Sequence, residues 1–243
     1  MQVIGNGDAF GAGGHYHSCF YLESTETKFL VDLGATAIHN LHSKIDFNEI
    51  DLIIISHFHG DHIGGIPFFL LESTFLTERQ KPLTIVGPKD CKKRIIELTE
   101  AHYKGVTKKF NSFELTFIEY GPKMPIKIGD LQIIALPAIH SPQSNPHCLR
   151  ITAGDNSFAY SGDTEWTNAL YEISKGVDYF VCECTYFSTL MEGHLTYMQD
   201  HEKLAKIEAK KVVLTHMGGE MLEEINKSKV SIEFSEENKI YKL

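Results

Sequence analysis

The chain has 243 residues, of which 42% are hydrophobic and 23% charged, as expected of a soluble globular protein. Its net charge of -9 argues against a long polyanionic partner, because such binding needs basic surface that displaces counterions. No apolar run approaches the ~20 residues of a membrane span, and the N-terminus lacks a basic region followed by an apolar stretch. The 5 cysteines include no CxxC pair. We therefore expect a cytoplasmic protein with reduced thiols and no membrane contact.

The N-terminal region is predicted to contain three short strands, at residues 3–4, 19–22 and 28–33. A glycine-rich stretch after the first strand could cradle a phosphate through its backbone amides. No helical pattern follows it, however, as a Rossmann or P-loop motif would require. His15 and His17 are interpreted as loop residues, and a substrate contact is left open for them.

The most informative stretch joins a buried strand to a group of metal-ligating side chains. Residues 52–55 are aliphatic without alternation, which predicts a strand buried on both faces. Four ligand-type residues follow at once, namely His57, His59, Asp61 and His62. His57 and His59 point to one side of an extended segment and can hold one metal ion. Asp61 and His62 can reach a second ion, so the spacing favours two metals over one and over an accidental histidine-rich loop.

The remaining elements alternate between strands and helices. Pro67 is predicted at the first turn of a helix, and Asp90 is predicted to cap a helix that ends near Tyr103. A capping box of Thr196 and Gln199 predicts the start of a helix that runs from Tyr197 to about Ala209. Another helix is predicted at residues 165–175, and strands at 83–86, 113–118, 126–128, 131–136, 148–151, 157–160, 177–185 and 211–214.

Polar side chains also follow three of the later strands. His140 follows an apolar strand in the same way as His57, and His216 follows the last core strand. Asp163 ends another strand; it could be a helix N-cap instead, although Thr164 could take over the capping. Glu183 lies between two cysteines, and strand alternation places its carboxylate on the face opposite the thiols, which are interpreted as core residues.

The HxHxDH motif at residues 57–62 resembles the metal-binding motif of the metallo-β-lactamase superfamily. The resemblance implies an α/β fold, a four-layer αβ/βα sandwich with a dinuclear site at one edge. It also implies that Asp32 is a buried carboxylate supporting the metal loop and that Asp163 bridges both ions. The implied metal ligands are His57, His59, Asp61, His62, His140, Asp163 and His216. His140 completes the first ion's set and His216 the second's. Because these residues span most of the chain, a single domain covering residues 1–243 is expected.

The expected cofactors are two divalent metal ions. Mixed imidazole and carboxylate ligands favour Zn²⁺, with Mn²⁺ or Fe²⁺ left open. Such a pair lowers the pKa of a bridging water and polarises the bond to be cleaved, so we expect a metal-dependent hydrolase.

Glu183 followed by His194-Leu195-Thr196 resembles the ribonuclease Z and cyclic phosphodiesterase branch of the superfamily. In that branch the histidine of HxT faces the phosphate and the glutamate orients it. The predicted catalytic residues are therefore His194, Glu183 and Asp61. The expected reaction is attack of metal-bound hydroxide on phosphorus, with His194 stabilising the charge and protonating the leaving alkoxide. Members of this branch are commonly homodimers, and we expect one here.

The segment between His140 and Asp163, residues 141–162, is too short for the basic arm with which bacterial ribonuclease Z enzymes hold transfer RNA. It contains one basic residue, Arg150, besides His147. We therefore expect a phosphodiesterase acting on a small anionic phosphodiester, a cyclic nucleotide or cyclic sugar phosphate. An armless ribonuclease Z-like tRNA 3′-processing endonuclease is the alternative.

Two other classes of protein could carry the same metal ligands. A thioester or lactam hydrolase would use the same metals but would not need His194 with Glu183. A non-enzymatic metal-binding scaffold would be expected only if a metal ligand were missing, and the sequence contains all of them. Candidates for substrate specificity lie near His15, His147 and residues 186–193.

Overall fold

Two six-stranded sheets form the centre of the structure, a computed structural model that describes residues 1–121 and 124–242. The first sheet contains, in spatial order, β1 (Gln2–Gly5), β2 (Cys19–Glu23), β3 (Lys28–Val31), β4 (Leu52–Ile54), β5 (Leu83–Gly87) and β6 (Leu115–Glu119). Strands β1 to β3 form antiparallel pairs, whereas β3 to β6 run parallel. Parallel neighbours place their carboxyl ends at one edge of the sheet.

The second sheet also has six strands. Their spatial order is β12, β11, β10, β9, β8 and β7, so each strand neighbours the one before it in the chain. Its members are β7 (Ile126–Ile128), β8 (Leu131–Pro137), β9 (His147–Ala153), β10 (Asn156–Tyr160), β11 (Tyr179–Glu183) and β12 (Lys211–Thr215). Strands β10, β11 and β12 are parallel, and β7 to β10 pair antiparallel.

The helices cover the outer faces of the sheets. They are α1 (Ala37–His42), α2 (Gly60–Ile63), α3 (Ile66–Phe75), α4 (Cys91–His102), α5 (Asn168–Ser174), α6 (Tyr197–Leu204) and α7 (Gly219–Asn226). One apolar cluster joins α1, α3 and α4 to the first sheet, and another joins α5, α6 and α7 to the second. A third cluster fills the space between the sheets. These layers confirm the predicted four-layer α/β sandwich.

Strand β4 explains why its sequence is apolar without alternation. Leu52 and Ile54 pack between the sheets, whereas Ile53 packs against the helices. All three side chains are fully buried, so both faces of the strand need apolar residues. The predicted strand leading into the metal motif is confirmed.

Two predicted helices have different ends in the structure. Helix α5 begins at Asn168 after Thr167, whose hydroxyl accepts a hydrogen bond from the amide of Ala169, so neither Asp163 nor Thr164 caps it. Helix α6 ends at Leu204, well before Ala209. Beyond the helix, the carbonyl of Glu208, which lies ahead of β12, accepts a hydrogen bond from the amide of Gly176.

Two residues predicted as helix caps stand at the N-cap position but make no capping side-chain hydrogen bond. Asp90 precedes α4 but has a φ of 70° and makes no capping side-chain bond. The hydroxyl of Thr196 donates to the carbonyl of Thr189 instead of forming a capping box with Gln199. Helices α1, α2 and α7 were not predicted from the sequence. None of the helices in the described residues combines the length and apolar character needed to cross a membrane.

Candidate metal centre

The seven predicted metal ligands meet at one edge of the sandwich. The chain delivers them there because the relevant strands all run toward that edge before each ligand appears. His57 and His59 follow β4, His140 follows β8, Asp163 follows β10 and His216 follows β12. The remaining ligands, Asp61 and His62, lie on the short helix α2.

One half of the cluster contains three imidazoles and a carboxylate. His59 turns its Nδ1 inward, 3.2 Å from Nε2 of His57 and 3.0 Å from Nε2 of His140. An oxygen of Asp163 lies 3.6 Å from Nε2 of His57 and 3.8 Å from Nε2 of His140. One donor atom from each of the four residues lies within 4.8 Å of all the others, a set that can converge on one cation.

The other half shares Asp163 and adds a second carboxylate. Nε2 of His62 lies 3.2 Å from Asp61 and 3.3 Å from Asp163. Nε2 of His216 lies 3.2 Å from Asp61 and 3.4 Å from Asp163. Asp61, His62, Asp163 and His216 form a second metal-compatible group, so the cluster suits two ions that share Asp163.

Asp32 supports the metal loop from beneath. Its carboxylate accepts hydrogen bonds from the amide and hydroxyl of Ser56 and from Nδ1 of His62, each at 2.7 Å. Asp32 has a φ of 57°, a left-handed conformation that is uncommon for residues other than glycine. Asp32 adopts this conformation directly after β3, next to Ser56 and His62. The structure thus agrees with the supporting role that the resemblance implied.

Three more of the imidazoles, those of His57, His140 and His216, are held from behind in the same way. Nδ1 of His57 lies 3.0 Å from the hydroxyl of Ser56. Nδ1 of His140 donates to the carbonyl of Gly193 at 2.8 Å, and Nδ1 of His216 lies 2.9 Å from the hydroxyl of Thr185. Such outer hydrogen bonds orient a ring and leave its other nitrogen free for metal.

Gly193 is required where it contacts His140. Its φ is 84°, and a Cβ atom at this position would come within 2.5 Å of Nδ1 of His140. The amide of Gly193 also donates to Glu165 at 2.8 Å. A glycine therefore allows the loop before His194 to approach the ligand closely.

The predicted catalytic pair, His194 and Glu183, lies beside the cluster. Nδ1 of His194 donates to Oε1 of Glu183 at 2.9 Å. The ring of His194 stacks on that of His216, with centroids 5.6 Å apart, and meets the ring of His140 edge-on at 4.8 Å. Burial lowers the pKa of His194, but the charge and hydrogen bond of Glu183 outweigh burial and raise it to about 9.

The chemistry of the donor set fits a pair of divalent cations. Nε2 of His62 and Oδ1 of Asp163 are buried and make no hydrogen bond to any residue in the described part of the chain. Burial alone would raise the pKa of Asp163, but His216, His62 and His57 hold it well below its usual value. Burial lowers the pKa of His57 well below its usual value, which favours the neutral imidazole that metals bind. Unsatisfied buried donor atoms of this kind call for a ligand.

Three other histidines singled out from the sequence lie outside these groups. His15 lies 3.6 Å from Glu237, His17 donates its amide to Thr36, and His147 bonds the carbonyl of Asn145. Among the described residues, no metal-compatible group includes them.

Sequence reasoning missed Thr185 and Ser56. Thr185 lies two residues after Glu183, so strand alternation places both side chains on the same face, a signal that could have revealed it. Ser56 directly precedes His57 but gave no distinguishing pattern.

Comparison with known proteins assigns the chain to a family. Residues 1–241 match the profile of the family described as "Anti-Pycsar protein Apyc1". The chain belongs to this family. Its sequence is 25% identical over 224 residues to the probable metallo-hydrolase YhfI of Bacillus subtilis, a match that spans 89% of this chain and 86% of YhfI. The crystal structure of YhfI superposes with a TM-score of 0.78 at 22% identity and covers 99% of this chain and 98% of its own.

Two other similarities are to a ribonuclease Z and to a diphosphatase. Ribonuclease Z of Methanococcus maripaludis is 31% identical over 142 residues, or 58% of this chain and 45% of that protein. A diphosphatase of the PhnP family has a TM-score of 0.76 at 16% identity, with 100% of this chain and 97% of that one covered. The protein is a metal-dependent hydrolase with the metallo-β-lactamase fold, and it is related to ribonuclease Z.

Proposed function

We propose that this Apyc1 family member hydrolyses a small phosphodiester, a cyclic nucleotide or a cyclic sugar phosphate, with two zinc ions as cofactors. The observation that carries the proposal is the His194–Glu183 pair beside the dinuclear cluster. A phosphodiester presents anionic oxygens to a site and releases an alkoxide that must be protonated. A hydrogen-bond donor beside two cations suits both requirements.

The chain supplies the residues that would hold the cations. His57, His59 and His140 with Asp163 would hold one, and Asp61, His62 and His216 with Asp163 the other. When bound, such a pair supplies a water that ionises near neutral pH and Lewis acidity toward phosphoryl oxygens. Manganese or iron would fit the same ligand types.

His194 is positioned to act on the substrate with its second ring nitrogen. Nδ1 is engaged by Glu183, so Nε2 is the donor that remains for a phosphoryl or leaving oxygen. Glu183 is itself fully buried and held by the amide of Thr164 at 2.9 Å and the hydroxyl of Thr185 at 2.9 Å. A carboxylate fixed in this way keeps the imidazole in one orientation and stabilises its protonated form.

The arginines support a small substrate over a polynucleotide. The sequence has only three, and each is occupied by backbone carbonyls. Arg79 is buried and bonds four carbonyl groups, Arg94 bonds Gln143, and Arg150 bonds Ile173 and Lys175. Recognition of a nucleic-acid backbone relies on exposed arginines and lysines, and a net charge of -9 opposes it further.

A cleft next to His194 has a suitable size for the rest of such a substrate. It encloses about 400 Å³ and is lined by residues that include Trp166, Gln199 and Lys203. Cavities of roughly 300–1,000 Å³ hold ligands of nucleotide size. Leu190 and Met191, from the segment expected to influence specificity, also line it and expose 71% and 47% of their surface.

The type of bond cleaved can be tested directly with the zinc-loaded protein. We expect turnover of bis-p-nitrophenyl phosphate to exceed turnover of a thioester and of a β-lactam, because only a phosphodiester uses the His194–Glu183 pair. Faster turnover of the thioester or lactam would overturn the proposal.

An armless ribonuclease Z remains the second candidate, because a known ribonuclease Z is 31% identical over 142 residues. In the structure, strands β9 and β10 and a short turn occupy most of residues 141–162, and no arm projects from this fully described segment. This arrangement favours the small substrate.

A further inference from the structure

The hydroxyl of Thr185 connects a metal ligand to the catalytic pair. Thr185 follows β11 and is buried, with 3% of its surface exposed. Its Oγ1 lies 2.9 Å from Oε2 of Glu183, 2.9 Å from Nδ1 of His216 and 3.3 Å from Nδ1 of His194. Three groups with different roles therefore meet at one oxygen atom.

The proton count at this oxygen determines the direction of each bond. A carboxylate oxygen only accepts, so the single hydroxyl proton of Thr185 must go to Glu183. Thr185 then has only lone pairs for His216, whose Nδ1 must carry a proton and donate it. A neutral imidazole protonated at Nδ1 has its free lone pair at Nε2, the atom that faces Asp61 and Asp163.

We propose that Thr185 is a positioning residue that fixes the metal-binding tautomer of His216 and ties this ligand to Glu183. Glu183 thereby orients His194 directly through Oε1. It orients His216 indirectly, because its Oε2 accepts the proton of the Thr185 hydroxyl. The proposal rests on the dinuclear site of the proposed function. It concerns metal affinity, which is measured without substrate, so it stands or falls independently of which phosphodiester is cleaved.

The backbone around Thr185 is held without its hydroxyl. The carbonyl of Thr185 accepts from the amide of Gly218 at 2.9 Å, and its amide donates to Glu183 at 3.3 Å. A change confined to the side chain leaves these bonds in place. Thr185→Val keeps the size of the side chain and removes the hydroxyl, and Thr185→Ser keeps the hydroxyl.

The test is a chelator competition that measures zinc affinity and stoichiometry of wild-type and variant proteins in the absence of substrate. We expect Thr185→Val to bind one of its two ions 10–100-fold more weakly, the usual effect of losing an outer hydrogen bond to a ligand. Thr185→Ser should bind both ions with affinity close to wild type. Thermal unfolding of the metal-free proteins serves as the control for folding, and Thr185→Ala replaces the valine variant if that variant does not fold.

Two results would overturn the proposal. One is wild-type affinity for both ions in the variant without the hydroxyl. The other is equal loss in the serine and valine variants, accompanied by a lower unfolding temperature of the metal-free protein, which would show that Thr185 only stabilises the end of β11.

Discussion

Each imidazole that turns Nε2 toward the metal centre has its Nδ1 next to a defined oxygen. The oxygens come from Ser56, Asp32, Gly193 and Thr185, on four separate segments of the chain. These protein contacts restrain the orientation of each ring. Such preorganisation limits the cost of assembling the site, because the side chains lose less rotamer freedom on binding.

Substitutions of His194 and of Asp163 should have different effects, because His194 lies beside the two ligand groups and Asp163 belongs to both. His194→Ala is expected to keep metal content near wild type and to lower phosphodiesterase turnover roughly 10²-fold or more, the scale of a lost general acid. Asp163→Ala should lower metal occupancy, since both ligand groups include this carboxylate. Metal analysis and kinetics of the two variants check both expectations. Unchanged turnover without His194, or full occupancy without Asp163, would contradict the assigned roles.

The sequence could predict ligand residues but not their outer partners. His57, His59, Asp61 and His62 stand close together in a recognisable motif. Gly193 reaches His140 through a backbone carbonyl 53 positions away, a contact that residue type does not reveal. His216 also adopts a φ of 57°, and no sequence pattern distinguishes a strained histidine from a relaxed one.

At the level of elements, the strands were easier to predict than the helices. Strands such as β4 and β8 coincide with short apolar runs in the sequence, and such runs indicate buried strands. Helix ends were harder to predict: α6 stops at Leu204, four residues before Glu208 bonds Gly176, and α5 starts at the local cap Thr167, three residues after Thr164. The capping pattern did not distinguish Thr167 from Thr164, and helix propensity carries no information on a distant partner such as Gly176.

Helix α7 restrains the segment that leads to His194. The carboxylate of Glu220, at the second position of α7, accepts hydrogen bonds from the amides of Phe187, Ser188 and Thr189 at 3.2–3.3 Å and from the hydroxyl of Ser188. One side chain thus holds three consecutive residues. The same segment continues to Leu190 and Met191 at the cleft.

Glu220→Ala should therefore release this segment and raise KM several-fold with a smaller effect on kcat, because the His194–Glu183 pair has its own contacts. Glu223→Ala is the matched control on the same helix, since this glutamate is exposed and makes a long ion pair of 4.0 Å with Lys227. Steady-state kinetics of both variants would check the prediction. Equal KM values in the two variants would show that Glu220 does not restrain substrate binding.

At the scale of the whole molecule, the two sheets bring together ligands that are separated by up to 159 positions, from His57 to His216 (216 − 57). The interior between the sheets is apolar and the ligands lie at its edge. The fold could be predicted because the HxHxDH motif at residues 57–62 resembles that of a known superfamily, and the resemblance implied its four-layer sandwich. The expected homodimer and single domain stay predictions.

The most direct test of the proposed function compares 3′,5′-cyclic mononucleotides, 2′,3′-cyclic nucleotides and a precursor tRNA as substrates of the zinc- or manganese-loaded protein. The protein is expected to hydrolyse a cyclic nucleotide in preference to the tRNA, because the occupied arginines and acidic charge disfavour a polynucleotide. Clean cleavage at the tRNA 3′ end, with the cyclic nucleotides left intact, would contradict the proposal and assign the site to an armless ribonuclease Z.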